Sequence, residues 1–326
     1  MARLIAVVST RVCATLATID LSFMATFSDA QYLEAKRPVD DRALNKDVLE
    51  RLRAELAMRG ERVHQVFEVG AGIGTMATRL IEWRVLRRAS YTLLDQDAGL
   101  LRVARERLRA FALEKQYSVE ELADGLRLRA PDLDFTAYFL AAELTALLDL
   151  GDGPKGVDLL IANAFLDLVD VPTILPPLLG RAARNGLYWF CINFDGESIF
   201  LPEHADDAAL LDVYHRSMDE RVRHGQRSGD SKTGRHLFAH LARAGASVLA
   251  SGGSDWVVHP NGAGYLPGEA DFLRYILHTI EQELASQASV NKPMLAGWSE
   301  ARRRQLEHGE LHYIAHQLDY VGRIEG

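Results

Sequence analysis

The chain has 326 residues, of which 48% are hydrophobic and 25% charged, and carries a formal net charge of −8 at pH 7. Such a composition is globular, and the length is enough to bury a large core. The acidic balance speaks against nucleic acid as partner, because a polyanion is met by a basic face. Cys13 and Cys191 are the two cysteines, too few and too far apart for a disulfide framework or a Cys-rich metal site. No metal is therefore expected, and the cytoplasm is the default compartment.

Residues 1–23 are apolar but interrupted by Arg11, and they lack a small-residue cleavage pattern. Arg11 leaves no uninterrupted apolar run of about 20 residues to span a membrane, and the segment reads as a leader or flexible extension. Residues 24–60 read as an N-terminal helical arm or cap, in which "RALNKDVLERLRAELA" sets Leu44, Val48, Leu49, Leu52 and Leu56 on one helical face. Residues 61–326 read as the main domain. There "HQVFEVG" is a buried strand, "TMATRLIEWRVL" a helix, "SYTLLDQD" a second strand and "AGLLRVARERLRAFALEK" an amphipathic helix. A third strand lies in "DFTAYFLAAEL", a fourth in "GVDLLIANAFLDL" and a fifth in "GLYWFCINFDG". The polar stretch at about 197–230 reads as a helical insertion over a pocket. A helix in "SKTGRHLFAHLARAG" and a strand in "ASVLASGGSDWVV" follow, then a helical insertion at about 268–308 and a last strand in "ELHYIAHQLDYVGRI".

Strands alternating with helices predict an α/β fold: a doubly wound, mostly parallel sheet with helices on both faces. Ligands of such sheets bind outside the carboxyl ends of the strands. The residues to interrogate are therefore Glu68, Gly70, Asp95, Glu143, Asn163 and Asn193.

The first strand runs into Glu68-Val-Gly70-Ala-Gly72-Ile-Gly74. Glycines allow a sharp turn and close approach of a ligand, and the helix that follows presents free N–H groups. The third glycine comes one place early for the GxGxxG dinucleotide fingerprint, and there is no Lys-Ser/Thr pair for a phosphate loop. An acid two residues before the first glycine repels a pyrophosphate but suits a ligand with an ammonium and a sulfonium, such as S-adenosylmethionine (SAM). Asp95 ends the second strand, where a carboxylate can accept both hydroxyls of a ribose. Glu143 ends the third, within reach of an adenine amino group. Taken alone, Asp95 would read as a helix N-cap and Glu143 as a surface acid.

Together, "FEVGAGIGT", "YTLLDQD" and "DLLIANAFLDL" resemble the motifs of the class I SAM-dependent methyltransferases over roughly residues 60–260. The resemblance implies a Rossmann-like, seven-stranded sheet and methyl transfer from SAM, with S-adenosylhomocysteine as product. By resemblance, Glu68, Gly70, Ala71, Gly72 and Gly74 surround the methionine part of the cofactor. Asp95 holds the ribose, Gln96 lies beside the adenine, Ala142 and Glu143 flank the adenine, and Asn163 and Ala164 border the methyl group. The sequence departs from nucleobase-amine methyltransferases, which carry an Asn/Asp-Pro-Pro-aromatic run after the fourth strand; here the run is Asn163-Ala-Phe-Leu166. With the acidic balance, this points to a small-molecule acceptor, no nucleic acid and no membrane. A homodimer is left open.

Methyl transfer needs a general base only when the nucleophile has a proton to lose. Asn193, Asp195 and His215 are the catalytic candidates. Tyr32, Lys36, Arg37, Tyr214, Arg235 and His236 are candidates for the acceptor, with Lys36 or Arg37 also a candidate for the carboxylate of the cofactor. Two other readings keep the fold: an NAD(P)-dependent oxidoreductase, and a SAM-binding protein without catalysis.

Overall fold

A computed structural model describes residues 28–223, 225–262 and 264–325. The expected leader, residues 1–23, lies outside the described residues.

The arm is two helices, α1 (Asp29–Ala43) and α2 (Lys46–Ala57). Ser28 and Gln31 cap α1 reciprocally, and Asn45 caps α2 by accepting the Asp47 and Val48 N–H groups. The chain turns at Leu44, so the helix expected from residue 42 starts four residues later. α1 lies within the expected helical arm, with Pro38 inside it.

The alternation then proceeds through β1 (His64–Val69), α3 (Thr75–Glu82), β2 (Arg88–Asp95) and α4 (Ala98–Glu114). A hairpin of β3 (Ser118–Glu121) and β4 (Gly125–Ala130) precedes β5 (Leu133–Ala141). α5 (Leu144–Asp149), β6 (Val157–Asn163), a 3₁₀ turn (Leu166–Leu168), α6 (Val171–Leu179) and β7 (Ala182–Leu201) follow. The insertion holds α7 (Asp207–Asp219) and a small hairpin of β8 (Val222–Arg223) and β9 (Gln226–Arg227). α8 (Thr233–Arg243), β10 (Ala246–Gly253), β11 (Trp256–Val258), α9 (Glu269–Ser286), α10 (Lys292–Glu307) and β12 (His312–Ile324) complete the order.

The main sheet has ten strands in the order β10-β12-β7-β6-β1-β2-β5-β4-β3, with β11 paired to β12 off this path. β7, β6, β1, β2 and β5 run parallel, and β12 lies antiparallel between β7 and β10. Seven of these strands are the expected ones. Of the other three, β3 and β4 widen the sheet beyond β5, and β11 is the end of the expected strand "ASVLASGGSDWVV", separated from β10 and paired to β12. Alternate residues of the central strands feed two cores. Val66, Leu159, Ile161 and Trp189 face the side of α2, α3, α4, α9 and α10. Phe67, Leu160, Ala162 and Phe190 face the side of α5, α6 and α8.

The register decides where the site forms. Val69 pairs with Leu94 and with Ala162, and Asp95 pairs with Ala141. The carboxyl ends of four parallel strands therefore lie side by side. The order reverses between β1 and β6, which is the crevice where ligands of doubly wound sheets sit.

Candidate functional site

A cavity of about 1250 Å³ opens over these strand ends. Small-ligand pockets commonly measure roughly 300–1,000 Å³, so this one has room for two ligands side by side.

The glycine loop forms its floor. Gly70, Gly72 and Gly74 all have positive φ, at 66°, 52° and 72°. A β-carbon at Gly70 would lie 2.3 Å from the Phe165 ring, and one at Gly72 would lie 2.9 Å from Leu33. Both positions need glycine for backbone conformation and for space. Gly74 does not line the cavity. It starts α3, and its missing β-carbon lets Ala104 of α4 approach, so its place is in helix packing.

Glu68 sits below the loop, 2% exposed, and accepts the Tyr91 hydroxyl at 2.8 Å. Burial pushes its carboxyl up to about 8, although the Tyr91 hydrogen bond and Arg79 favour the carboxylate. Asp95 accepts the Gly72 N–H at 2.8 Å through one oxygen and the Asp97 N–H at 2.9 Å through the other. Asp97, not Asp95, caps α4. A carboxylate has about four acceptor sites, so Asp95 can still receive a diol. Gln96 is at the exposed rim. Ala142 and Glu143 reach the cavity from the end of β5, and Glu143 also caps α5 by accepting the Thr145 and Ala146 N–H groups at 3.0 and 2.7 Å. Asn163 and Ala164 end β6, with Ala164 at φ 50°.

α1, α7 and α9 close the cavity from above. Tyr32 of α1 stacks on Tyr275 of α9 with ring centroids 3.8 Å apart, and Tyr214 and Met218 of α7 line the same wall. Burial pushes the Tyr214 phenol up to about 12, so it is a hydrogen-bond donor at neutral pH and not a base. Lys36 lines the cavity, but its ammonium is 2.6 Å from Asp40, a buried pair within α1.

Several residues expected at the site stand elsewhere. Arg37 is turned outward to Glu82 and Asp41. Asn193 is fully buried in the sheet, donating to the Phe190 and Leu318 carbonyls at 3.1 and 2.8 Å. Asp195 is a structural anion that accepts the Arg235 backbone N–H at 2.6 Å and its Nε–H at 2.9 Å, which occupies Arg235 as well. His236 pairs with Asp230 at 2.6 Å on the exposed side of α8. His215 does not line the cavity; its Nε2 lies 3.4 Å from the Ser198 hydroxyl, which does. Burial lowers its imidazole pKa, so it is neutral at pH 7. β7 runs on past residue 195, which carries its carboxyl end away from the crevice and explains why Asn193 and Asp195 miss it.

The structure adds residues that the sequence did not single out. Asp167 of the 3₁₀ turn and Gln317 of β12 line the cavity, and each has a buried oxygen without a hydrogen-bond partner, as does Asn163. Arg221, Trp256, Tyr275 and Tyr313 also line it. Asp167 stands four residues after Asn163 in the quoted fourth-strand segment, the one signal that pointed near it. Among the described residues no helix is long and apolar enough to cross a membrane.

The strand order, with five parallel strands and a reversed strand inserted next to the end of the sheet, is a Rossmann-like α/β arrangement of the kind that the sequence resemblance implies. No protein-family profile and no curated protein sequence matches the chain. Solved structures similar to it include a protein of Galdieria sulphuraria provisionally described as a sarcosine dimethylglycine methyltransferase (15% identity, TM-score 0.41, 85% of this chain and 84% of that one). A SAM-dependent methyltransferase of Thiobacillus denitrificans in complex with S-adenosylhomocysteine is similar at 11% identity and TM-score 0.42, over 86% of this chain and 92% of that one. Geranyl diphosphate C-methyltransferase of Streptomyces coelicolor A3(2), with Mg²⁺, geranyl diphosphate and S-adenosylhomocysteine, is similar at 12% identity and TM-score 0.39, over 84% and 80%.

Proposed function

We propose that this chain binds SAM at the ends of β1, β2, β5 and β6 and transfers its methyl group to a small molecule held beneath α1, α7 and α9. The observation that carries the reading is convergence: Glu68, Gly70, Ala71, Gly72, Asp95, Gln96, Ala142, Glu143, Asn163 and Ala164 come from four strand ends and line one cavity.

The residues fit the cofactor. The unpartnered Asn163 oxygen beside the glycine loop suits a donor such as an ammonium. The loop presents backbone without β-carbons, Asp95 retains acceptor capacity for a ribose, and Glu143 and Ala142 flank the place of an adenine. SAM, when bound, supplies a methyl group on a sulfonium, open to in-line displacement. The protein positions the acceptor and excludes water, and positioning alone can supply on the order of 7 kcal/mol or more of a barrier. Among polar groups facing the acceptor space, Asp167 is the one suited to take a proton, since burial pushes its carboxyl to about 6.

Calorimetry of the purified chain with S-adenosylhomocysteine, with NADH as control, tests the cofactor. Binding of S-adenosylhomocysteine and not of NADH is expected; the reverse result would replace methyl transfer by hydride transfer. Methyl-labelled SAM incubated with a small-molecule library then tests the activity. Tight binding without turnover of any acceptor would favour a non-catalytic SAM-binding protein.

A further inference from the structure

The part of the cavity beyond the cofactor residues has a composition of its own. Tyr214, Phe194, Tyr313 and Trp256 give it aromatic walls. Into this space face two acceptors that the protein leaves unpartnered. Gln317 is 1% exposed, and its side-chain oxygen has no hydrogen-bond partner; the same holds for Oδ1 of Asp167. A buried acceptor without a donor is unfavourable, so a ligand that brings N–H or O–H groups is favoured here.

Cationic side chains also line this space. Arg221 follows the C-terminal end of α7 and is half-buried. Among the described residues its guanidinium has neither an ion pair nor a side-chain hydrogen bond, although Asp167 and Tyr214 lie within its electrostatic reach. Lys36, the other cation of the inner wall, is already neutralised by Asp40. Arg223 and Arg227 continue the positive charge along the β8–β9 hairpin to the cavity mouth, and Arg227 donates to the Asp219 carbonyl at 2.9 Å. A guanidinium in a partly dry wall is matched by a carboxylate or phosphate, which it can bind bidentately.

Resting on the methyltransferase reading, we infer that the methyl acceptor is a flat, apolar molecule bearing an anionic group for Arg221 and an amino or hydroxyl group for Asp167 and Gln317. Aromatic amino or hydroxy acids, and their phosphate counterparts, have this chemistry. The cation and the unpartnered acceptors line one cavity without a hydrogen bond or ion pair between them, so one ligand can meet both. Arg223 and Arg227 at the mouth draw anions inward.

The test uses the full chain saturated with S-adenosylhomocysteine. Affinities are measured by ligand-observed NMR for 4-hydroxybenzoate, 4-aminobenzoate, 4-hydroxyphenyl phosphate and the neutral 4-hydroxybenzamide. At least one anionic probe is expected to bind tenfold or more tightly than the amide, and the better of the carboxylate and phosphate arms identifies the anion. Arg221→Gln is expected to erase that preference and Arg221→Lys to retain part of it, with S-adenosylhomocysteine affinity within twofold of wild type in both. Equal binding of the amide and every anionic probe would overturn the inference and leave the cofactor reading standing. Loss of S-adenosylhomocysteine affinity in Arg221→Gln, with the probe preference intact, would also overturn it, because Arg221 would then serve the cofactor. Failure of the wild-type chain to bind S-adenosylhomocysteine at all would defeat the methyltransferase reading itself.

Discussion

The Asp95 carboxylate accepts the Gly72 N–H at 2.8 Å, so the end of β2 and the glycine loop after β1 form one hydrogen-bonded unit. Its second oxygen takes the Asp97 N–H, which fixes the start of α4. The residue proposed to receive a ribose therefore also holds the loop in shape. Asp95→Asn keeps the volume but replaces one acceptor by an N–H donor, which must face a backbone donor. An unmade buried hydrogen bond costs about 1–3 kcal/mol, and about 1.4 kcal/mol is tenfold in affinity. S-adenosylhomocysteine should bind roughly 10- to 100-fold more weakly by calorimetry. Wild-type affinity in this variant would remove Asp95 from the site.

Gly70 gives a second, separable test. Its φ of 66° is unfavourable for any L side chain, and the Phe165 ring fills the space a β-carbon would enter. The left-handed conformation costs roughly 1–2 kcal/mol for a residue with a β-carbon, before the ring is displaced. Gly70→Ala should abolish detectable S-adenosylhomocysteine binding. Adding Phe165→Ala removes the collision and leaves the backbone cost, so the double variant should recover binding only in part. Full recovery would mean that the backbone conformation at Gly70 is not what the ligand reads.

These two tests concern the part of the site that was legible in the sequence. Glu68, the glycines and Asp95 are neighbours in short motifs, and apolar runs with flanking helical periodicity located β1, β2, β6 and α4. The acceptor side was not legible, because Asp167, Arg221 and Gln317 come from a turn, a helix end and the last strand, and only the packing of α7 and β12 brings them together. The β3–β4 hairpin escaped notice because β3 is a polar edge strand, largely exposed on both faces, with no alternation to read. α1 falls within the expected helical arm, but its bounds are not marked in the sequence, since Pro38 sits inside the helix instead of at its end. β7 was read too short because Gly196 looks like a stop. At a φ of 78° this glycine instead lets the strand continue to Leu201 against β12.

Glu68 predicts how stability depends on pH. Its carboxyl is raised in the folded chain to about 8, so the folded state holds a proton that the unfolded state releases. A raised folded value gives stability that is complete below the unfolded value and is lost as pH rises through about 8. Asp167 and Asp319 act in the same direction, but both are raised only to about 6. Between pH values of about 6 and 8 the decline is therefore mainly that of Glu68. One proton gives a slope of at most about 1.4 kcal/mol per pH unit. Glu68→Gln keeps an acceptor for Tyr91 and cannot ionise, so urea midpoints should fall less steeply with pH across this window. An unchanged slope would show that Glu68 does not carry the protonation.

Asp40 predicts how the arm is held over the cavity. It is 3% exposed and accepts the Lys36 ammonium at 2.6 Å and the Trp256 indole N–H at 2.9 Å, with Arg79 of α3 at 3.7 Å. One carboxylate thus ties α1 to α3 and β11, and the α1 residues Tyr32, Leu33 and Lys36 line the cavity. Removing one member of a buried pair leaves the other charge uncompensated, at about 3–5 kcal/mol. Asp40→Ala should lose stability of that order in urea denaturation and weaken S-adenosylhomocysteine binding. Replacing the pair together, Lys36→Met with Asp40→Leu, should recover part of the stability, since the uncompensated Lys36 charge is removed while the Trp256 indole N–H still lacks its acceptor. Arg37→Ala removes only the partly exposed contacts to Glu82 and Asp41. It should cost less than about 1 kcal/mol and leave binding within twofold of wild type. Equal losses from Asp40→Ala and Arg37→Ala would mean that the arm docks through its apolar face alone.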